Sequence, residues 1–84
     1  MEYTKGKWMV ETDDEGKMYV ATEYENIVEV LFDDRHTMKA NAQLIAAAPE
    51  LYEALRAITE EPNFGLPGKL YVMAHNALSR AEGR

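Results

Sequence analysis

Ser79 is the one serine of the chain, and it stands four residues after His75, the spacing that sets two side chains together on a helix face. A serine nucleophile needs a base in reach, an acid that orients that base, and donors for the oxyanion. The pair alone supplies neither acid nor donors, and cysteine is absent. Asp33, Asp34 and His36 lie close enough in sequence to suggest a metal site. Three neighbours on a turn rarely converge on one ion without a distant fourth ligand, so solvated turn residues are the simpler account. Gly65 and Gly68 punctuate a proline-containing loop and match no phosphate-binding pattern. Carboxylates are plentiful, yet they fall in turns or on strand faces, with no pair placed for general acid–base work. These residues predict a protein that is not an enzyme and that holds neither metal nor cofactor.

Binding has better material. Trp8, five tyrosines (Tyr3, Tyr19, Tyr24, Tyr52 and Tyr71) and the arginines Arg35, Arg56 and Arg80 are types that anchor interfaces and stack on flat ligands. From them and their polar neighbours, the candidate ligand-binding set is Trp8, Arg35, His36, Asn41, Arg56, Tyr71 and His75. Packing in the core and at its rim is the plain alternative for the aromatics. Asn41 resists that account, since asparagine is a poor helix-interior residue. Its amide either meets a ligand or satisfies backbone groups near the helix start.

Charge narrows the partners. Ten acids against four bases place the whole net charge of −6 in residues 1–35, and residues 36–84 are neutral. Direct nucleic-acid binding needs clustered Lys and Arg, which this pattern disfavours. An acidic face suits a basic protein surface, or simply solubility. No stretch approaches the length of apolar sequence needed to span a membrane.

The elements follow from periodicity. Lys7–Thr12, Met18–Glu23 and Ile27–Phe32 read as strands, with Asp13–Lys17 a hairpin turn built on Gly16 and a second turn at Tyr24–Asn26. Alternation places Trp8, Val10, Met18, Val20, Thr22, Val28, Val30 and Phe32 toward a core. Ile27, Leu31 and Tyr19 fall on the opposite face. Asp33–His36 is polar punctuation and Thr37 a suitable N-cap for a helix over Met38–Ala47, with Ala40, Leu44, Ala47/Ala48 and Ile45 as its apolar stripe. Pro49 suits the first turn of a new helix whose stripe is Leu51, Leu55 and Ile58; one kinked helix is the alternative. Glu61–Gly68 is a loop, and Lys69–Ala81 a last helix. There Leu70, Met73/Ala74, Ala77 and Ala81 face inward, beside a stripe of Tyr71, His75 and Leu78; the last three residues fray. The expectation is a single α+β domain over residues 1–84. Its small N-terminal antiparallel β-meander of about three strands packs against two or three C-terminal helices.

The segment Ala40-Asn41-Ala42-Gln43-Leu44-Ile45-Ala46-Ala47-Ala48-Pro49-Glu50-Leu51, continuing as Tyr52-Glu53-Ala54-Leu55, resembles one found in many short phage and prophage proteins, which also carry a tryptophan near the start, as Trp8 is here. The resemblance implies a phage-type accessory protein working in the cytoplasm of a bacterial host. By association it implies a role in host takeover or against host defences. Two kinds of partner fit. One is a nucleotide-derived signal, a cyclic nucleotide or ADP-ribose type, sequestered at a homo-oligomer interface where aromatics stack on bases. The other is a basic host protein captured by the acidic half. A structural or regulatory accessory role stands beside both.

Overall fold

The computed structural model describes residues 2–31, 34–61 and 65–83. Strands β1 (Met9–Thr12), β2 (Met18–Ala21) and β3 (Asn26–Val30) form one antiparallel sheet in that order. Helices α1 (Arg35–Ala46), α2 (Ala48–Glu60) and α3 (Gly68–Ala81) follow. The fold is the expected α+β arrangement of a β-meander followed by helices. Two compact units divide between Ala48 and Pro49, one holding the sheet with α1, the other α2 with α3.

Both sheet turns are made by side chains that satisfy backbone groups. At the first, the Gly16 N–H donates to the Asp13 carbonyl and the Asp13 N–H to the Lys17 carbonyl, each at 3.0 Å. The Asp13 carboxylate also accepts from the Glu15 and Lys17 N–H groups at 2.9 Å. Gly16 takes φ +83°, a conformation that L side chains rarely adopt. At the second turn the buried Thr22 donates its N–H to the Glu25 carbonyl at 2.8 Å. Its hydroxyl accepts from the N–H groups of Tyr24 and Glu25.

Directly opposed residues of an antiparallel ladder share a face. Val10, Val20 and Val28 make one row across the sheet, and Thr12, Met18 and Val30 the next. Met18, Val20 and Val30 are buried there beneath Met38 and Ala42 of α1, with Trp8, Val10, Ile27, Ile45 and Ala46 around them. Ile27 departs from the alternation. Val20 faces Val28 and Ala21 faces Asn26, so Ile27 is the extra residue of a β-bulge, which re-aims it toward the core. Leu31 lies off the core as expected; Phe32 and Asp33 fall outside the described residues, as do 62–64 of the predicted loop and Arg84 of the C-terminal residues predicted to fray.

α1 begins earlier than its residues suggest. Its N-cap is Asp34 rather than Thr37: the Asp34 carboxylate accepts from the His36 N–H at 3.0 Å and from the Thr37 hydroxyl at 2.9 Å. Thr37 supports the cap without being it. The buried stripe is also rotated. Met38, Ala42, Ile45 and Ala46 meet the sheet, whereas Ala40 is exposed and Leu44 is 64% exposed. Two interleaved stripes at helical spacing run through this alanine-rich stretch, and the larger side chains of Met38 and Ile45 decide between them.

α1 ends at Ala46 and α2 starts at Ala48, so two helices replace the kinked alternative. Pro49 falls in the first turn of α2, where its missing N–H has no intrahelical acceptor to lose. In α2 the buried residue is Tyr52, with Leu55 and Ile58 half-buried and Leu51 exposed. In α3, Ala74 and Leu78 are buried, while Leu70, Met73, Ala77 and Ala81 are exposed. The inward residues are therefore one from each expected stripe, Ala74 and Leu78, and Tyr71 and His75 are exposed.

Candidate functional site

On α2, Tyr52, Arg56 and Glu60 recur every fourth residue, and on α3 Tyr71, His75 and Ser79 do the same. Such spacing stacks each trio along one helix flank. The two flanks face one another across a cleft of about 370 Å³, completed by Thr59, Leu78 and Glu82. Tyr52, near the start of α2, donates its hydroxyl to the Glu82 carboxylate just past α3 at 2.6 Å, so the helices run antiparallel across the cleft.

Several polar groups of the cleft are paired with one another. Arg56 donates to Glu60 at 3.4 Å, one turn along α2, and its guanidinium lies 5.8 Å from the centre of the Tyr52 ring. The Glu60 hydrogen bond and charge raise the Arg56 pKa further above its usual range. The Tyr52 phenol is likewise raised, first because deprotonation would forfeit its hydrogen bond to Glu82, then through burial and the Glu82 charge. Thr59 turns its hydroxyl back to the Leu55 and Arg56 carbonyls at 3.1 and 3.0 Å. On the α3 side, the rings of Tyr71 and His75 stack with centroids 5.9 Å apart and planes 26° apart. That pair forms a flat, exposed aromatic shelf opposite a guanidinium.

Of the seven residues that the sequence nominates, Arg56, Tyr71 and His75 converge here. The others lie in the sheet unit. Trp8 packs against the core, its indole N–H donating to the Thr4 carbonyl at 2.8 Å, so its role there is packing. His36 is exposed on α1 in a shallow hollow with Lys39, Ala40 and Gln43. Asn41 is half-buried on α1. Arg35 opens α1, and its side chain lies outside what the structure describes. Sequence reading missed Tyr52, Glu60 and Glu82 as cleft residues. The four-residue recurrence from Tyr52 to Glu60 was visible; the reach of Tyr52 to Glu82 was not, since it joins residues 30 apart.

Among the described residues, which do not include Asp33, no three of His, Asp and Glu gather where an ion would sit. Asp34 is instead committed to capping α1. No helix among the described residues is long and apolar enough to cross a membrane.

A model of the family described as Salmonella phage P22 protein Y8K6 matches residues 1–84. The chain belongs to that phage protein family. The phage affiliation rests on this match over the whole chain, and not on the segment from Ala40 to Leu55. No curated protein and no solved structure matches it significantly. Within the Y8K6 family chain, the alanine-rich segment is the end of α1 and the start of α2, and its Ala42, Ile45 and Ala46 are packing residues.

Proposed function

We propose that this member of the Y8K6 phage family is a non-enzymatic accessory protein that sequesters a nucleotide-derived host signal. The ligand is a cyclic nucleotide or an ADP-ribose type, held in the α2–α3 cleft of a homo-oligomer. The observation that carries this reading is the meeting of Arg56, Tyr71 and His75 in one cleft, with two rings already stacked as a shelf. A base has a π-face to lay on that shelf, and a guanidinium is the planar donor that suits a phosphate. Glu60 holds Arg56 through an exposed contact, which a phosphate would displace with little loss. Leu70, Val72 and Met73 leave apolar surface on α3 beside the cleft, which a second copy would cover.

The non-enzymatic part rests on how the cleft's groups are used. Ser79 and His75 both line it, while Glu60 accepts from Arg56 and Glu82 accepts from Tyr52. Native mass spectrometry of the chain purified from its host, followed by titration with cyclic dinucleotides, cyclic trinucleotides and ADP-ribose derivatives, tests the whole reading. An oligomer with saturable binding that Arg56→Ala abolishes is expected. A monomer that binds none of these ligands overturns it.

A second reading has its own observation. Glu11, Tyr19 and Glu29 face one another across the three strands on the side away from the core. Burial, and then the nearby Glu29 and Asp13 charges, raise the Tyr19 phenol pKa. An acidic row around an aromatic suits a basic host protein, such as a subunit of a defence complex. Pull-down from a host lysate at low and at high salt separates the two: capture through this face collapses with salt, while ligand stacking loses much less.

A further inference from the structure

The acidic half of the chain contains one small basic hollow. It lies between the segment entering β1 and the turn from β2 to β3, has a volume of about 260 Å³, and is lined by Lys5, Gly6, Lys7, Met9, Thr22, Glu23 and Tyr24. Two of the four bases in residues 1–35 are gathered here against one carboxylate, so the local charge opposes that of the surrounding surface. Among the described residues neither ammonium is ion-paired; Lys17, by contrast, lies 3.6 Å from Glu15.

The hollow has a firm frame. Lys5 holds its ammonium 3.9 Å from the centre of the Tyr3 ring, and Tyr3 meets Trp8 edge to face with centroids 6.3 Å apart. Trp8 in turn packs on the core, so Lys5 is tied to the interior through two rings. On the other side Thr22 is buried and its hydroxyl fastens the turn that presents Glu23 and Tyr24. Gly6 passes at φ +106°, where an added Cβ would lie 3.8 Å from the Thr22 side chain. Tyr24 is 89% exposed, a large ring kept at the rim.

We infer that this hollow is an anion site that takes a phosphate group, held by the ammoniums of Lys5 and Lys7. Its volume falls just below the range of about 300–1,000 Å³ usual for drug-sized ligands. It therefore suits free phosphate or the end of a small monoester whose apolar part rests on Tyr24 and Met9, and not a whole dinucleotide. Lysine serves phosphate as a point charge and needs no fork geometry. The site is separate from the α2–α3 cleft and stands whether or not that cleft binds a nucleotide.

The test is a heteronuclear NMR titration of the full chain with inorganic phosphate and with phenyl phosphate, at constant ionic strength. Saturating amide shifts confined to residues 5–9 and 22–24 are expected. Lys5→Ala/Lys7→Ala should weaken binding by about tenfold or more, as the loss of charge-assisted contacts implies. Lys17→Ala should leave it unchanged. Tighter binding of phenyl phosphate assigns a monoester, and equal binding assigns free phosphate. Shifts that never saturate, that spread to Lys17, Lys39 and Lys69, or that survive the double substitution overturn the proposal.

Discussion

The Tyr52 hydroxyl donates to the Glu82 carboxylate at 2.6 Å, joining the beginning of α2 to the residue that follows α3. A phenol in such a bond is harder to ionise, and its pKa lies above the ordinary 10.0. A folded-state pKa raised above the unfolded value means that folding binds the proton more tightly. The contribution to stability is complete below the ordinary phenol value and is lost as pH climbs through the raised one. Site-resolved NMR of labelled tyrosine should show Tyr52 titrating late, with the α2–α3 unit loosening as it does. Glu82→Gln should return Tyr52 toward its ordinary value and advance that loosening to lower pH. Tyr52 titrating normally in the unaltered chain would contradict the bond.

Val20 and Leu44 test how α1 lies on the sheet. Val20 is fully buried beneath Met38 and Ala42, whereas Leu44 points away. Val20→Ala should destabilise the chain by about 2 kcal/mol through lost burial and a residual cavity. Leu44→Ala should stay within about 0.5 kcal/mol, as surface changes do. Denaturant midpoints measure both. Equal losses would mean that Leu44 belongs to a core.

The same pair shows what the sequence could reveal. Strand positions follow from a period of two bounded by the Gly16 turn and a turn read at Tyr24–Asn26; the structure keeps the three strands but closes the second turn at Thr22–Glu25. Helix phase does not follow as easily. Alanine is equally at home inside and outside a helix bundle, so Ala40–Leu44 and Met38–Ala42 are equally regular stripes until a sheet chooses one. Ile27 escaped because a bulge adds a residue that no alternation anticipates. In the cleft, Arg56, Tyr71 and His75 were legible as residue types suited to ligands. Tyr52 and Glu82 were not, because their role is made by a contact between two helices.

Asp34 and Thr37 separate a cap from its support. Asp34 accepts from a backbone N–H of the first turn, a bond whose loss exposes an orphan donor. Asp34→Ala should therefore cost about 1 kcal/mol of stability and fray the start of α1. Thr37→Ala removes only the hydroxyl that steadies the carboxylate, so a smaller loss is expected. Thermal melts followed by circular dichroism compare the two. A larger loss for Thr37→Ala would restore Thr37 as the cap.

Glu60 and Arg56 offer the sharpest test of the cleft. Their contact is exposed and lies along one helix, so breaking it changes folding stability little. Its effect on a phosphate-bearing ligand has the opposite sign from its effect on Arg56 itself. On the proposed reading Glu60 competes with the ligand for the guanidinium, and Glu60→Gln removes the competing charge while keeping the side chain's shape. Affinity for a nucleotide of the proposed class should rise by about threefold, an increment of the size exposed ion pairs supply. Tyr71→Ala, which removes half of the aromatic shelf, should weaken it by roughly tenfold. Isothermal titration of the three proteins, with melts to show that each is folded, reads both effects. Weaker binding in Glu60→Gln would mean that Glu60 holds Arg56 in place for the ligand instead of competing with it.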